Sequence, residues 1–319
     1  MTEAITATDW KGRPVLVTGG AGFVGSHLVE ALVERGADVT VLDCLERPLR
    51  LQHVEGRIAY LNADLADSGW SKSITRAFER VFHLAAFSQL TAAQDQPETA
   101  YRQNVIGTVN LLQLAKQWSV KKLLFTSAGG LYTNIPKYLP IDERHPIDPA
   151  QGVYVMTKRI GELLCDDVRL QFGLPTLYVR LFNTYGPGQS ADFLIPTLIK
   201  QGLEAGTITV RSAKVKRDFT FVRDMVEALI AGAASDACGG PFNLGSGVEH
   251  SLMELAEKIG ALTGAQVECL NQPTFGPERQ LCDNRLAQQT FGWRPAMALE
   301  EGLRITVDAF RRDRAVAVA

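Results

Sequence analysis

Residues 15–43, VLVTGGAGFVGSHLVEALVERGADVTVLD, constrain the fold more tightly than any other stretch of the chain. A short apolar run, Val15–Val17, leads into Thr18 and then Gly19, Gly22 and Gly25, spaced three apart. An amphipathic segment with apolar Leu28, Ala31 and Leu32 follows, and a second β-branched run ends at Asp43. Strand, glycine turn, helix and strand within about thirty residues form a βαβ unit whose turn can cradle a pyrophosphate. Gly19 permits the tight turn, Gly22 the approach of backbone to phosphate, and Gly25 close packing of helix on strand. The helix N-terminus adds unpaired N–H groups and a positive dipole end. A carboxylate at Asp43 can accept both ribose hydroxyls and repels a 2′-phosphate. NAD is therefore expected over NADP, with Arg47 nearby as the opposing charge.

Through residue 182 strand-like and helix-like segments alternate, which predicts a mostly parallel sheet covered on both faces. Strands are expected at 14–18, 38–43, 57–62, 80–85, 121–127 and 175–181. Helices are expected at 23–35, 69–77, 97–118 and 152–172. Beyond Asn183 the pattern loosens around Tyr185-Gly186-Pro187-Gly188, Gly239-Gly240-Pro241 and Gly276-Pro277. A smaller lobe is expected there, with helices at 193–204, 251–263, 284–291 and 299–312 and a segment at 221–234 returning to the large domain. The expected division is a flexible tail at 1–12, a dinucleotide domain at 13–183 plus about 218–242, a second lobe at 184–217 and 243–313, and a tail at 314–319.

The net charge of −2 offers no basic surface for nucleic acid. No apolar run approaches the ~18–20 residues that span a bilayer, and Met1–Lys11 lacks a signal-peptide core. Five scattered cysteines (Cys44, Cys165, Cys238, Cys269, Cys282) contain no CxxC pair. They suit a reduced cytoplasm rather than a disulfide framework or a metal site.

Tyr154 and Lys158 lie four apart on a predicted helix and so share one face. A lysine beside a tyrosine favours the phenolate, giving an acid/base group usable near neutrality.

The chain here resembles the extended short-chain dehydrogenase/reductase family, in particular its NAD-dependent nucleotide-sugar epimerases and dehydratases. The family's TGxxGFxG is present as Thr18-Gly19-Gly20-Ala21-Gly22-Phe23-Val24-Gly25, and its acidic ribose binder as Asp43. Asp64-Leu65 matches the pair touching adenine, His83-Leu84-Ala85-Ala86 the end of the fourth strand, and Asn104-Val105-Ile106-Gly107-Thr108 the NVxGT helix. Tyr154 and Lys158 match YxxxK. Arg180-Leu181-Phe182-Asn183 with Tyr185-Gly186-Pro187-Gly188, Arg217-Asp218-Phe219, and Asn243-Leu244-Gly245-Ser246-Gly247 match three later segments.

The resemblance implies a Rossmann-type doubly wound parallel sheet with a smaller C-terminal α/β substrate lobe. It implies NAD held by Gly19, Gly22, Phe23, Val24, Gly25, Asp43, Asp64, Leu65, Leu84, Ala85, Ala86, Tyr154 and Lys158. Tyr154 would be the acid/base, and Lys158 would hold the nicotinamide ribose and depress the tyrosine pKa. Asn183, Arg217 and Arg279 would meet the phosphates or sugar of a nucleotide-diphosphate sugar. His83 and Asn104 are read as structural, Asp64 has an alternative as a turn residue, and Arg217 could instead pair with Asp218 or Asp224. Helices 97–118 and 152–172 carry Val105, Val109, Leu112, Ala115, Ile160, Leu163, Leu164 and Val168, and the family pairs these helices across a two-fold axis. A homodimer is expected.

One departure stands out. The family places a Ser or Thr after strand five, against the reacting sugar oxygen, where this chain has Ala128. Ser127, taken as a substrate contact, or Thr126 could substitute, as could a water or a substrate group. The family's 4,6-dehydratases carry an Asp-Glu pair where Gly129 and Gly130 stand, and its decarboxylases a Glu at Gly130. Neither acid is present, so a 4-epimerase is expected. A 4-ketoreductase, a modified dehydratase and a dinucleotide-binding sensor are the alternatives.

Overall fold

A computed structural model describes residues 10–273 and 276–318 of the chain. The strands are β1 (Pro14–Thr18), β2 (Asp38–Asp43), β3 (Ala59–Asn62), β4 (Arg80–His83), β5 (Lys122–Ala128), β6 (Thr176–Leu181), β7 (Asn183–Tyr185), β8 (Thr207–Val210), β9 (Lys216–Phe221), β10 (Gly239–Leu244), β11 (Glu249–Ser251), β12 (Gln266–Cys269) and β13 (Arg279–Gln280). The helices are α1 (Phe23–Glu34), α2 (Leu90–Asp95), α3 (Pro97–Tyr101), α4 (Gly107–Gln117), α5 (Val153–Phe172), α6 (Leu194–Glu204), α7 (Val222–Ala234), α8 (Leu252–Thr263), α9 (Arg285–Phe291) and α10 (Leu299–Val318).

Seven strands pair in the order β10-β6-β5-β4-β1-β2-β3, all parallel. The chain runs outward from β1 to β3, then crosses back to β4 on the other side of β1. This reversal opens a crevice at the carboxyl ends of β1 and β4. Alternation along each strand feeds two cores. Val15 and Val17 face a cluster with Leu28, Leu32, Val226 and Leu229 of α1 and α7. Leu16 faces Leu111, Leu112 and Cys165 of α4 and α5. Each such side chain contributes roughly 1.5–3 kcal/mol by leaving water.

The smaller lobe holds a sheet in which β9 pairs with β7, β11 and β13, and a separate β8–β12 pair. Its Ile195, Leu198, Leu255 and Ile259 join the same apolar cluster as α1 and α7, so the lobe shares a core with the large domain. Sharp ends have local causes. Gly173 (φ 71°) stops α5, and Ser251 with Glu254 forms a capping box that starts α8.

Several elements differ from expectation. Helix 97–118 is interrupted by a π-turn at Arg102–Ile106 between α3 and α4. The segment 69–77 holds only a 3-10 turn, Ser68–Ser73. Strand β10 begins in the Gly-Gly-Pro stretch that marked a loosened pattern, and its register shifts between Gly239 and Phe242. An edge position tolerates a proline because no second partner needs its N–H. Residues 1–9 of the expected N-terminal tail, and Ala319, lie outside the described residues. Trp10 is not part of a loose tail. It is buried, with the Arg80 guanidinium 5.3 Å from its ring centre. At the other end, α10 continues to Val318 instead of giving way to a tail at 314. Among the described residues no helix is long and apolar enough to cross a membrane.

Candidate active site

The glycine turn is built by main-chain proximity. Gly19 has φ +72°, and a Cβ there would lie 2.5 Å from the Ala85 nitrogen; one on Gly25 would lie 2.1 Å from the Gly19 oxygen. Gly22 is the N-cap of α1 and offers no side-chain cap, so the first-turn N–H groups of Phe23, Val24 and Gly25 remain for an anion. The buried Asp43 carboxylate accepts from the Ala21 N–H at 2.9 Å and the Leu45 N–H at 3.2 Å. Both bonds aim it at the mouth of the turn. These residues fit a dinucleotide: a cradle that a Cβ would fill, open N–H groups for the diphosphate, and an acid for the ribose. Arg47, four residues after Asp43, is exposed.

Asp64 binds the Ala66 N–H (2.9 Å) and Arg102 (2.9 Å), so its carboxylate also closes the local turn. Leu65 is buried beside Gly107, where a Cβ would come within 3.0 Å of it. Leu84, Ala85 and Ala86 continue from β4 into the crevice, and the Leu84 N–H donates to Thr18 O at 3.0 Å.

A directed hydrogen-bond chain runs beneath them. The Ala85 N–H donates to Thr18 Oγ1 (3.4 Å), which contacts His83 Nδ1 (2.7 Å). His83 Nε2 meets Thr108 Oγ1 (2.8 Å), and Thr108 donates to the Asn104 carbonyl (2.6 Å). With Thr108's proton spent, His83 must donate from Nε2 and accept at Nδ1, a neutral imidazole. Burial first, and the Lys158 charge second, push its pKa down to about 3. Asn104, inside the π-turn, accepts from the Phe87 N–H (2.6 Å) and donates to Thr157 Oγ1 (2.9 Å). Thr157 donates in turn to the Tyr154 carbonyl (2.7 Å). Both residues are structural supports joining glycine turn to helix.

Tyr154 occupies the first turn of α5, half-buried. Lys158 is buried, its Nζ donating to the Thr126 carbonyl (2.8 Å) and lying 5.8 Å from the Tyr154 ring centre. The sequence reading expected the lysine to lower the tyrosine pKa. Here burial prevails, raising Tyr154 to about 12 and lowering Lys158 to about 8. The ammonium is committed to a carbonyl rather than to the phenol.

The hydroxyls nearest Ala128 are also committed. Ser127, expected as a substrate contact, is buried. Its Oγ donates to Glu162 Oε1 (2.7 Å) on the opposite strand face from Thr126 and Ala128. Glu162, fully buried, is also gripped by Arg180 through two bonds (2.7 and 2.8 Å) and by Arg159 (2.9 Å). Thr126 Oγ1 donates to the His83 carbonyl at 3.1 Å. Glu162 was missed in the sequence, although its place four residues after Lys158 was the available signal.

The two glycines beside Ala128 differ. A Cβ on Gly129 would meet the Phe182 ring at 3.0 Å, whereas one on Gly130 finds only Val155 at 4.0 Å. Gly130 opens onto a cleft with about 100 Å³ of water-accessible space, walled by Tyr132, Thr133 and Gln151 on one side and Arg217, Arg279 and Gln280 on the other.

Asn183 donates to the Asp218 carbonyl and Gln280 Oε1, both at 3.0 Å. Arg217 bonds the Lys216 carbonyl (2.9 Å), and no carboxylate among the described residues pairs with it. Asp218 is spent on the N–H groups of Ser246 (2.8 Å), Gly247 (2.9 Å) and Cys282 (3.2 Å), and Asp224 on those of Ala296 (3.0 Å) and Met297 (2.8 Å). Burial lowers the Arg217 pKa. Arg279 is held by both oxygens of Glu249. The structure thus brings Arg217, Arg279 and Gln280 together on one wall, a fixed cationic surface suited to a diphosphate.

A profile of the NAD dependent epimerase/dehydratase family matches residues 15–245. The chain is 33 % identical over 311 residues to a UDP-glucose 4-epimerase of Mycolicibacterium smegmatis, covering 93 % of this chain and 98 % of that protein. It is equally 33 % identical over 311 residues to UDP-glucuronic acid decarboxylase 1 of Xenopus tropicalis, covering 94 % of this chain and 73 % of that one. Among solved structures, a UDP-glucose 4-epimerase from Thermotoga maritima with UDP-glucose superposes with a TM-score of 0.87 at 27 % identity, covering 94 % of this chain and 99 % of that one. Fold, glycine turn and relatives agree: the chain belongs to the NAD-dependent epimerase/dehydratase family.

Proposed function

We propose that the protein is a nucleotide-sugar 4-epimerase working through a transient 4-keto sugar. The observation that carries this reading is Gly130: it faces open space in the cleft and brings no carboxyl to the sugar. Removing a C5 proton or protonating a leaving hydroxyl needs a positioned acid or base there. Hydride transfer at C4 needs only Tyr154, and the open cleft leaves room for the keto sugar to turn over.

In this reading the Tyr154 oxygen takes the C4 hydroxyl proton and later returns it. Lys158, its Nζ 5.8 Å from the Tyr154 ring centre, supplies a positive charge on the same helix face for the phenolate once it forms. NAD held by the glycine turn and Asp43 would supply the hydride acceptor and donor at C4. Arg217, Arg279 and Asn183 hold the nucleotide diphosphate while the sugar rotates. A second reading, a dinucleotide-binding sensor, draws support from Ala128, because the Ser127 hydroxyl is bonded to Glu162 and the Thr126 hydroxyl to the His83 carbonyl.

Incubation with a panel of UDP-, dTDP-, GDP- and CDP-sugars separates these readings. Unchanged mass with a new retention time supports epimerisation. Loss of water or of carbon dioxide overturns it in favour of dehydration or decarboxylation. Reduction of a 4-keto sugar by added NAD(P)H points to a reductase, and binding without turnover across the panel to a sensor.

The proposal includes a cytoplasmic homodimer. Of the apolar residues expected to pair across the two-fold, Leu112 and Ala115 are buried within the chain, and Leu164 and Val168 pack against that core. Leu163 on α5, at 51 % exposure, together with Tyr101 and Ile106 leaves apolar surface on the two helices for a second copy. Light scattering at micromolar concentration is expected to give twice the chain mass.

A further inference from the structure

We infer that the turn Gly186–Gln189 is a strap over the dinucleotide, and that His27 and Arg50 latch it and so set how fast NAD enters and leaves. The inference rests on the reading above, in which hydride passes to NAD and returns from it.

The strap follows β7 and bends at two glycines with positive φ, Gly186 (155°) and Gly188 (79°), on either side of Pro187. Its root is packed: a Cβ on Gly186 would lie 2.6 Å from Val222. The tip is different, since a Cβ on Gly188 would meet nothing but the Arg50 side chain, at 3.4 Å.

Two side chains pin that tip. His27 Nε2 donates to the Pro187 carbonyl at 2.9 Å, and Arg50 Nε donates to the Gly188 carbonyl at 3.1 Å. They come from the two elements that frame the dinucleotide. His27 is one turn along α1 from Phe23 and packs edge-on to its ring at 5.9 Å. Arg50 sits in the 3-10 segment Leu49–Arg57, just after β2 delivers Asp43. The strap is thereby tied to the diphosphate side and to the ribose side together. Gln189, at its far end, keeps a buried Oε1 with no partner among the described residues. Because a carbonyl only accepts, His27 carries its proton on Nε2. The neutral and the charged ring both provide that donor, so the latch is not a pH switch.

A latch that closes over a site slows entry as well as exit, whereas a simple contact with the ligand slows exit alone. The test uses NADH fluorescence: association to cofactor-stripped protein, and dissociation by displacement with excess NAD. Wild type is compared with His27→Ala, Arg50→Ala and the double variant. Arg50 is exposed, so its removal leaves the core intact. His27→Gln, which keeps an amide donor, is the rescue. Both rate constants are expected to rise about tenfold or more in the double variant, with Kd changing less than about threefold, and the glutamine variant should return toward wild type. During turnover the double variant should lose activity progressively unless NAD is added. Unchanged exchange rates overturn the strap, as does faster exit with unchanged or slower entry. If wild type itself fails to bind NADH, the functional reading falls first. If wild type binds and every variant exchanges alike, only the strap falls.

Discussion

Around the glycine turn, a Cβ on Gly19 or Gly25 would collide with main-chain atoms at 2.5 and 2.1 Å. In the cleft, a Cβ on Gly130 would find its nearest neighbour at 4.0 Å. The dinucleotide half leaves no freedom because backbone meets backbone, and backbone cannot be exchanged by substitution. The substrate half leaves room beside a few side chains. The cofactor half is therefore held by backbone geometry, while the proposed reaction type rests on replaceable side chains around Ala128. An epimerase and a decarboxylase are equally similar to this chain.

Five experiments can break or sharpen this contrast. The largest effect is expected from Tyr154→Phe, which should lower turnover at least about 10³-fold while leaving NADH binding nearly unchanged; parallel loss of both would show that the two halves are not separable. Gly25→Ala should weaken NADH binding about a hundredfold or more, because its methyl displaces the turn that receives the diphosphate; titration by fluorescence would reveal a tolerant turn if affinity held. Ala128→Ser, in the roomy half, should raise kcat by about an order of magnitude if a hydroxyl there still polarises the reacting oxygen. A fall in activity would instead mean that the substrate occupies the space.

The pH profile gives the fourth. Burial lowers Lys158 to about 8, so its ammonium is lost as pH climbs through that value. Because the Tyr154 phenolate, with its pKa raised to about 12, gains population over the same range, the rate should climb up to about pH 8 and then level off, and a rate still rising about tenfold per unit to pH 10 would release Lys158 from its role. Ser127→Ala closes the series. It should change kcat less than about threefold and cost about 1 kcal/mol in stability, since Glu162 keeps both arginines; a hundredfold loss of kcat would place Ser127 back in the site.

What was legible in the sequence follows the same division. Gly19, Gly22, Gly25 and Asp43 could be read because their spacing is local and each has one physical purpose. Tyr154 and Lys158 could be read from helical period. The fate of Ser127 could not, because it turns on which face of β5 each residue takes and on a carboxylate 35 residues away. The π-turn was equally hidden: the Asn104 inside it accepts from the Phe87 N–H, a tertiary contact that leaves the helical pattern of 97–118 intact. Trp10 reads as tail until the strand bearing Arg80 is laid against it. The expected effect of Lys158 on Tyr154 erred for a related reason, since spacing shows that two groups are near but not which neighbour the ammonium chooses.

Strand β10 carries a consequence of its own. An open sheet ends in two rows of unsatisfied main-chain donors and acceptors, which invite strands from other molecules and lead toward aggregation. On one border this protein places Gly239-Gly240-Pro241, with a register slip and a residue that has no N–H to offer. On the other border lies β3, four residues long. Both margins are poor templates for an incoming strand, so the sheet can remain open-ended without recruiting its neighbours in a crowded solution.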